Sequence, residues 1–122
     1  MPWIYNQSTG VLIDPAGAKV CEGYSGCGEG KNMPSLQDVR DVGPIPCGSY
    51  SVGEPEDTAL HGPFVLPLTP HEGNEMFGRS GFLIHGDSIE RPGTASKGCV
   101  IMPRWAREEI GRSTDRELEV RP

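Results

Sequence analysis

FLIHGDSIERPGTASKGCVIM, residues 82–102, sets two short apolar runs, 82–84 and 99–101, at the ends of a polar loop holding Gly86, Pro92, Gly93 and Gly98. Runs this short, bounded by turn residues, are strand ends rather than helices. Two strand ends joined by a loop rich in glycine can lie side by side. That brings His85 towards Cys99, fourteen positions later, and makes this segment the hinge of both fold and chemistry.

Outward from it the chain keeps the same character. With 17 Gly and 12 Pro in 122 residues, and hydrophobic residues at 35%, the apolar material is confined to short segments between frequent turns. Residues 3–5 and 11–13 flank the turn sequence NQSTG, DPAG follows as a second turn, and AKVCEGY returns as a third strand, so the first 24 residues read as a meander. Residues 25–46 show no sustained period and form a long loop, of the kind that binds or covers a ligand. Residues 49–52 alternate as a strand. Residues 64–68 form another, bracketed by prolines that keep it from being central over its full length. Pro103 starts the one helix, about 103–110, which Gly111 closes; its apolar residues Trp105, Ala106 and Ile110 suit it to covering a sheet edge. Residues 117–120 end the chain as a strand. The expectation is a mainly β single domain over 1–122, a curved sheet or sandwich with one short helix.

Charge and composition exclude several classes of function. A net charge of −6 argues against a nucleic-acid surface and an anionic membrane, both of which need a cationic face. No apolar run is long enough to span a bilayer, and MPWIYNQSTG lacks the features of a signal peptide. The four cysteines, Cys21, Cys27, Cys47 and Cys99, divide naturally into one working thiol, one bridge and one buried free thiol. A bridge between Cys27 and Cys47 would close the long loop and stabilise by about 3 kcal/mol; Cys21 with Cys47 is the other pairing.

A cysteine becomes a nucleophile when a neighbour accepts its proton or lowers its pKa, and an imidazole does either. Gly98, directly before Cys99, lets the backbone turn sharply and aim the Gly98 and Cys99 N–H groups at a developing oxyanion. The competing reading is a strand-end histidine and an inert core thiol, the commoner fate of an arbitrary pair.

The block formed by His85, Gly86, Ser96, Gly98 and Cys99 resembles the signature of L,D-transpeptidases. GYSGCGEGKN, VGPIPCGSYSVG, HGPFVL, NEMFGRSGFLIHGDS and SKGCVIMPRWAREEI extend the likeness, from Gly10 onward, to the small L,D-transpeptidase-like domain of type VI secretion effectors and prophage relatives. Lys97 stands where the larger family usually has His, and Val100 and Ile101 where it usually has Arg. The resemblance implies a Cys99 acyl-enzyme on peptidoglycan tetrapeptide stems, with L,D-carboxypeptidase or D-amino acid exchange activity, His85 as base and acid, and a backbone carbonyl near Gly86 behind the imidazole. It implies no cofactor, a monomer, delivery into a target periplasm without a signal peptide, and an immunity protein in the producer.

Around that pair, Ser96 serves to hold the loop or the imidazole, or is a plain turn serine. Asp87 orients His85, pairs with Lys97 or caps a turn. Arg79 is a candidate grip on a substrate carboxylate, the alternative being a solvated arginine. Tyr24, Asn32 and Gln37 are candidate cleft residues. Two rival functions remain: a zinc hydrolase using His61, His71, His85 and a cysteine, although neither HExxH nor paired CxxC spacing is present, and a cell-wall binding module without turnover.

Overall fold

The computed structural model describes residues 1–122. It is mainly β with one α-helix. Strands β1 (Trp3–Asn6), β2 (Val11–Ile13) and β3 (Lys19–Glu22) form the expected antiparallel meander. After Gly23 come β4 (Tyr24–Ser25), β5 (Gly48–Val52), β6 (Glu56–Thr58) and β7 (Gly62–Pro70). Then follow β8 (Leu83–His85), β9 (Val100–Ile101), α1 (Arg104–Arg112) and β10 (Glu117–Arg121).

The strands run in the order β3-β2-β1-β10-β5-β7-β8-β9-β4, with β6 on β7. The final strand enters the middle of the sheet, parallel to β1 with Trp3 opposite Leu118, and antiparallel to β5. The two ends of the order, β3 and β4, are consecutive in the chain and separated by Gly23 alone. The curved sheet stays open, and one run of chain, interrupted at Gly23, supplies both of its end strands. Gly23 is held in place: its N–H donates to the Gly10 carbonyl, and a Cβ there would sit 1.9 Å from the Ile101 carbonyl oxygen. Gly23→Ala must displace backbone at the end of β9, and we expect a loss of about 3 kcal/mol in denaturant unfolding.

The concave side holds a core of 17 buried residues, including Tyr5, Leu12, Tyr50, Leu66, Ile84, Val100 and Leu118. β7 lies inside the sheet order but pairs piecewise: Leu68 to Pro70 with β5, Leu66 and Pro67 with β8, and its first residues with β6. The prolines are accommodated because no stretch needs every N–H on both sides.

The helix packs on β7 and β8, which lie within the sheet order, rather than on an edge. Ala106 and Ile110, one turn apart, face inward together with Arg107, while Trp105, rotated off that stripe, is exposed. Gly111 does not end the helix. It lies under the Phe64 ring, where a Cβ would come within 2.8 Å of Cζ, and the helix closes at Ser113 in an extended conformation that needs no glycine.

All four cysteines are free thiols, so the expected bridge is not formed. Cys27 Sγ donates to the Asp41 carbonyl and Cys47 Sγ to Gln7 Oε1, each at 3.2 Å, while Cys21 lies in the core. The long loop is closed by hydrogen bonds instead. It contains two 3-10 turns, Gly28–Gly30 and Pro34–Leu36. Gln37 Oε1 accepts from Gln7 Nε2 and the Cys47 N–H, and Cys27 N–H donates to Val42. Gln37 is thus a loop tie rather than a cleft residue.

Candidate active site

β8 and β9 are parallel, with Ile84 opposite Val100 and His85 opposite Ile101. Alternation sends Ile84 and Val100 into the core and puts His85, Ile101 and, one position before the ladder, Cys99 on the other face. The same register adds Tyr24, opposite Ile101 on β4, and Val65, next to the Leu66–Ile84 pair on β7. Val65, Ile101 and Tyr24 are buried yet stand outside the core cluster. They form a second apolar patch that seats the imidazole. His85 and Cys99 are diagonal neighbours on this face, with Cα atoms about 8 Å apart by strand geometry.

The His85 ring is fixed at both sides. Nδ1 lies 2.9 Å from the Gly86 carbonyl oxygen, the acceptor expected from the sequence, so Nδ1 carries the proton and Nε2 is the free base. The His61 ring, from the tip of the β6–β7 hairpin, lies against it with centroids 4.4 Å apart and planes at 31°. His85 is 3% exposed. Burial lowers its pKa, the Gly86 hydrogen bond works the other way, and His61 and Arg107 lower it further, so the imidazole rests neutral.

Cys99 is half-buried. Its thiol lies 4.0 Å from the Gly81 carbonyl and lines an opening with Gly81, Phe82, Lys97 and Gly98. Burial raises its pKa, while the Leu83 backbone N–H and the Arg79 guanidinium oppose the rise. His85 lines a separate opening with Leu60, His61 and Ser88. Thiol and imidazole thus share a face but line two separate openings.

The loop between them is tied at both ends. Ser96 Oγ donates to the Cys99 carbonyl at 2.5 Å and accepts from the Gly26 and Gly98 N–H groups at 2.8 and 3.0 Å. Ser96 therefore holds the loop. The Gly98 N–H, an expected oxyanion donor, is committed to Ser96. Gly98 has φ +140, and a Cβ there would lie 2.5 Å from Arg79 Nη2 and 2.9 Å from the Phe82 ring. At the other end Asp87 caps its turn, accepting from the Ser88 and Gly93 N–H groups and from Tyr24 OH. Tyr24 OH also accepts from the Ala95 N–H, and burial with the Asp87 bond pushes its pKa up to about 12. Tyr24 thus pins the loop over the site.

Two residues expected to bind substrate have structural work instead. Arg79 is 6% exposed, and its two Nη groups donate to the carbonyls of Gln37, Gly43, Pro44 and Lys97. The solvated surface position does not hold: Arg79 lines the opening of Cys99 with its Nη groups already bonded to backbone carbonyls. Asn32 takes φ 55 and bonds the Ser25 N–H with its side-chain oxygen, locking the loop. For the zinc reading, no three His, Cys, Asp or Glu side chains converge; His71 pairs with Glu117 and Ser51, away from the other two histidines. Sequence reasoning missed His61 as a neighbour of His85. Its only signal was the HGP turn that opens β7.

No curated protein and no solved structure matches the chain significantly. The profile of the Tlde1 domain matches residues 19–119, a span that takes in β3 through most of β10 and every residue of the site, and the chain belongs to this family of type VI secretion effectors.

Proposed function

We propose that the protein is a cysteine acyltransferase acting on peptidoglycan tetrapeptide stems, as an L,D-carboxypeptidase, a D-amino acid exchange enzyme or both. The observation that carries this reading is the register of β8 and β9, which sets Cys99 and His85 on one face with the imidazole's outer nitrogen free. His85 Nε2 takes the thiol proton as Sγ adds to the carbonyl carbon of the third stem residue. The Cys99 N–H is the oxyanion donor that remains from the sequence reading. Collapse breaks the amide C–N bond, His85 returns the proton to the leaving amine, and D-alanine departs from a thioester. Water or a D-amino acid amine then attacks the thioester and restores the thiol. Because thiol and imidazole both rest neutral, the proton moves during attack rather than from a standing ion pair.

Family membership supports delivery by a type VI machine into a target cell; action on peptidoglycan would take place in that cell's periplasm, and an immunity protein would guard the producer. No helix is long and apolar enough to cross a membrane. Incubation with purified disaccharide tetrapeptides, followed by mass spectrometry, tests the proposal. Loss of one D-alanine is expected, and added D-methionine divides the product between tripeptide and exchanged tetrapeptide; unchanged muropeptides would count against it.

The pH profile follows from the neutral imidazole. Protonated His85 accepts no proton, and its pKa is depressed, so the acid limb of kcat/KM should lie below the ordinary histidine value of about 6.5. The same depression means that the unfolded chain binds a proton more readily than the folded one. Folded stability should therefore decline as pH falls through the unfolded value near 6.5. An acid limb at or above pH 6.5 would contradict the assignment.

A further inference from the structure

Two arginines are nearly buried in this protein, and they differ in one respect. Arg79 spends both Nη groups on backbone carbonyls. Arg107, also 6% exposed, donates Nε to Met102 O at 3.2 Å and Nη1 to Pro63 O and Phe64 O at 2.8 and 2.9 Å. Its Nη2 has no protein acceptor, and it is not sealed off, because the one solvent-inaccessible side-chain polar atom without a partner is Tyr5 OH. No carboxylate of the chain forms an ion pair with Arg107. Glu108, the carboxylate whose charge acts on Arg107, pairs with Arg104 and Arg112, and on the cleft itself Asp87 is occupied by Tyr24, Ser88 and Gly93 and Glu22 by Lys19.

Arg107 therefore presents an anchored guanidinium edge with an unpaired Nη2 to a cleft of about 610 Å³ that it shares with His61, Gly86 and Tyr24. A buried guanidinium held by its other nitrogens and left without an ion-pair partner is suited to a carboxylate. Its position says which one. Along the shared direction of β8 and β9 the order is Cys99, then His85, then Gly86, and Nη2 lies 2.9 Å from the place a Gly86 Cβ would occupy. The group that receives a proton from His85 is the leaving amine, so the leaving residue extends past His85 towards Gly86. The absence of a side chain at Gly86 keeps that path to Nη2 open.

We infer that Arg107 Nη2 recognises the free α-carboxylate of the leaving D-alanine, and of the D-amino acid that replaces it in exchange. The inference rests on the proposed acyl-transfer reading for its direction. It makes Arg107 a determinant of specificity for stems that end in a free carboxylate.

The test measures binding apart from turnover. In Cys99→Ala protein, calorimetry compares L-Ala-γ-D-Glu-meso-diaminopimelate-D-Ala with the same peptide bearing a C-terminal carboxamide. The acid should bind about 10- to 100-fold more tightly. Arg107→Gln in that background should remove the difference by weakening the acid alone. Should the loss of three carbonyl bonds unfold that variant, Gly86→Ala obstructs Nη2 while leaving Arg107 anchored, and should likewise erase the preference. Equal affinity for acid and amide, failure to bind either, or a preference that survives in both folded variants would overturn the assignment. A preference that depends on Arg107, found together with no release of D-alanine by the unsubstituted protein, would leave the carboxylate site standing and count against the catalytic reading alone.

Discussion

Cys99→Ala should abolish D-alanine release from tetrapeptide stems, by about 10⁴-fold or more, while the circular dichroism spectrum stays that of the parent. The thiol faces an opening rather than the core, and its polar contacts are the Leu83 backbone N–H and the distant Gly81 carbonyl, so its removal costs little packing. His85→Ala should lose about 10²- to 10⁴-fold, the range for a positioned general base. It leaves a cavity beside Val65 and Ile101 and should lower the melting temperature as well, which separates the two variants. A Cys99→Ala protein that still trims stems would remove the nucleophile assignment. One that keeps its full effect on target cells without trimming would favour the binding-module alternative.

Arg79→Met should be the most destabilising substitution outside the apolar core. The replacement matches the length of the side chain but strips donors from four carbonyls, those of Gln37, Gly43, Pro44 and Lys97. Left unpaired in a buried setting, these groups should cost about 3–5 kcal/mol together, a fall in melting temperature of at least ~10 °C. Arg91→Met, at an exposed position, is the control and should stay within about 0.5 kcal/mol. A purely substrate-binding Arg79 would give the opposite pattern, an altered KM with unchanged melting. Because Lys97 O belongs to the Cys99 loop and the other three carbonyls to the long loop, this one side chain joins the turn that carries Cys99 to the long loop.

The strands were legible where apolar alternation is local: 3–5, 11–13, 49–52 and 82–84 all fall on strands or at their starts. The insertion of β10 between β1 and β5 was not legible. Alternation in ELEV shows which face is buried, not which distant strand it joins. Helix polarity was readable from Pro103, but Trp105 misled, since its size suggests burial while the stripe is set by Ala106, Ile110 and the three carbonyls that draw Arg107 inward. At the site, the Gly86 carbonyl as the partner of His85 was what the family resemblance implied. Gly98 read correctly as a sharp turn, yet its N–H turned out to serve Ser96. The different fates of Arg79 and Arg107 depend on carbonyls contributed by remote loops, and no spacing in the sequence encodes them. The free thiols show the same limit: Cys27 and Cys47 flank the loop in sequence, but each finds an oxygen acceptor.

The shortness of β3 and β4, the end strands on either side of Gly23, bears on how the protein behaves in a crowd. Ordinary sheets end in two rows of bare amides and carbonyls, and such rows recruit foreign chains into fibrils. Here the two borders are short, four residues in β3 and two in β4, and β3 carries Lys19 and Glu22 exposed along its length, so each offers an intruding segment little to pair with. For an effector of this family, short charged borders of that kind limit the rows of bare amides and carbonyls on which one copy could template another.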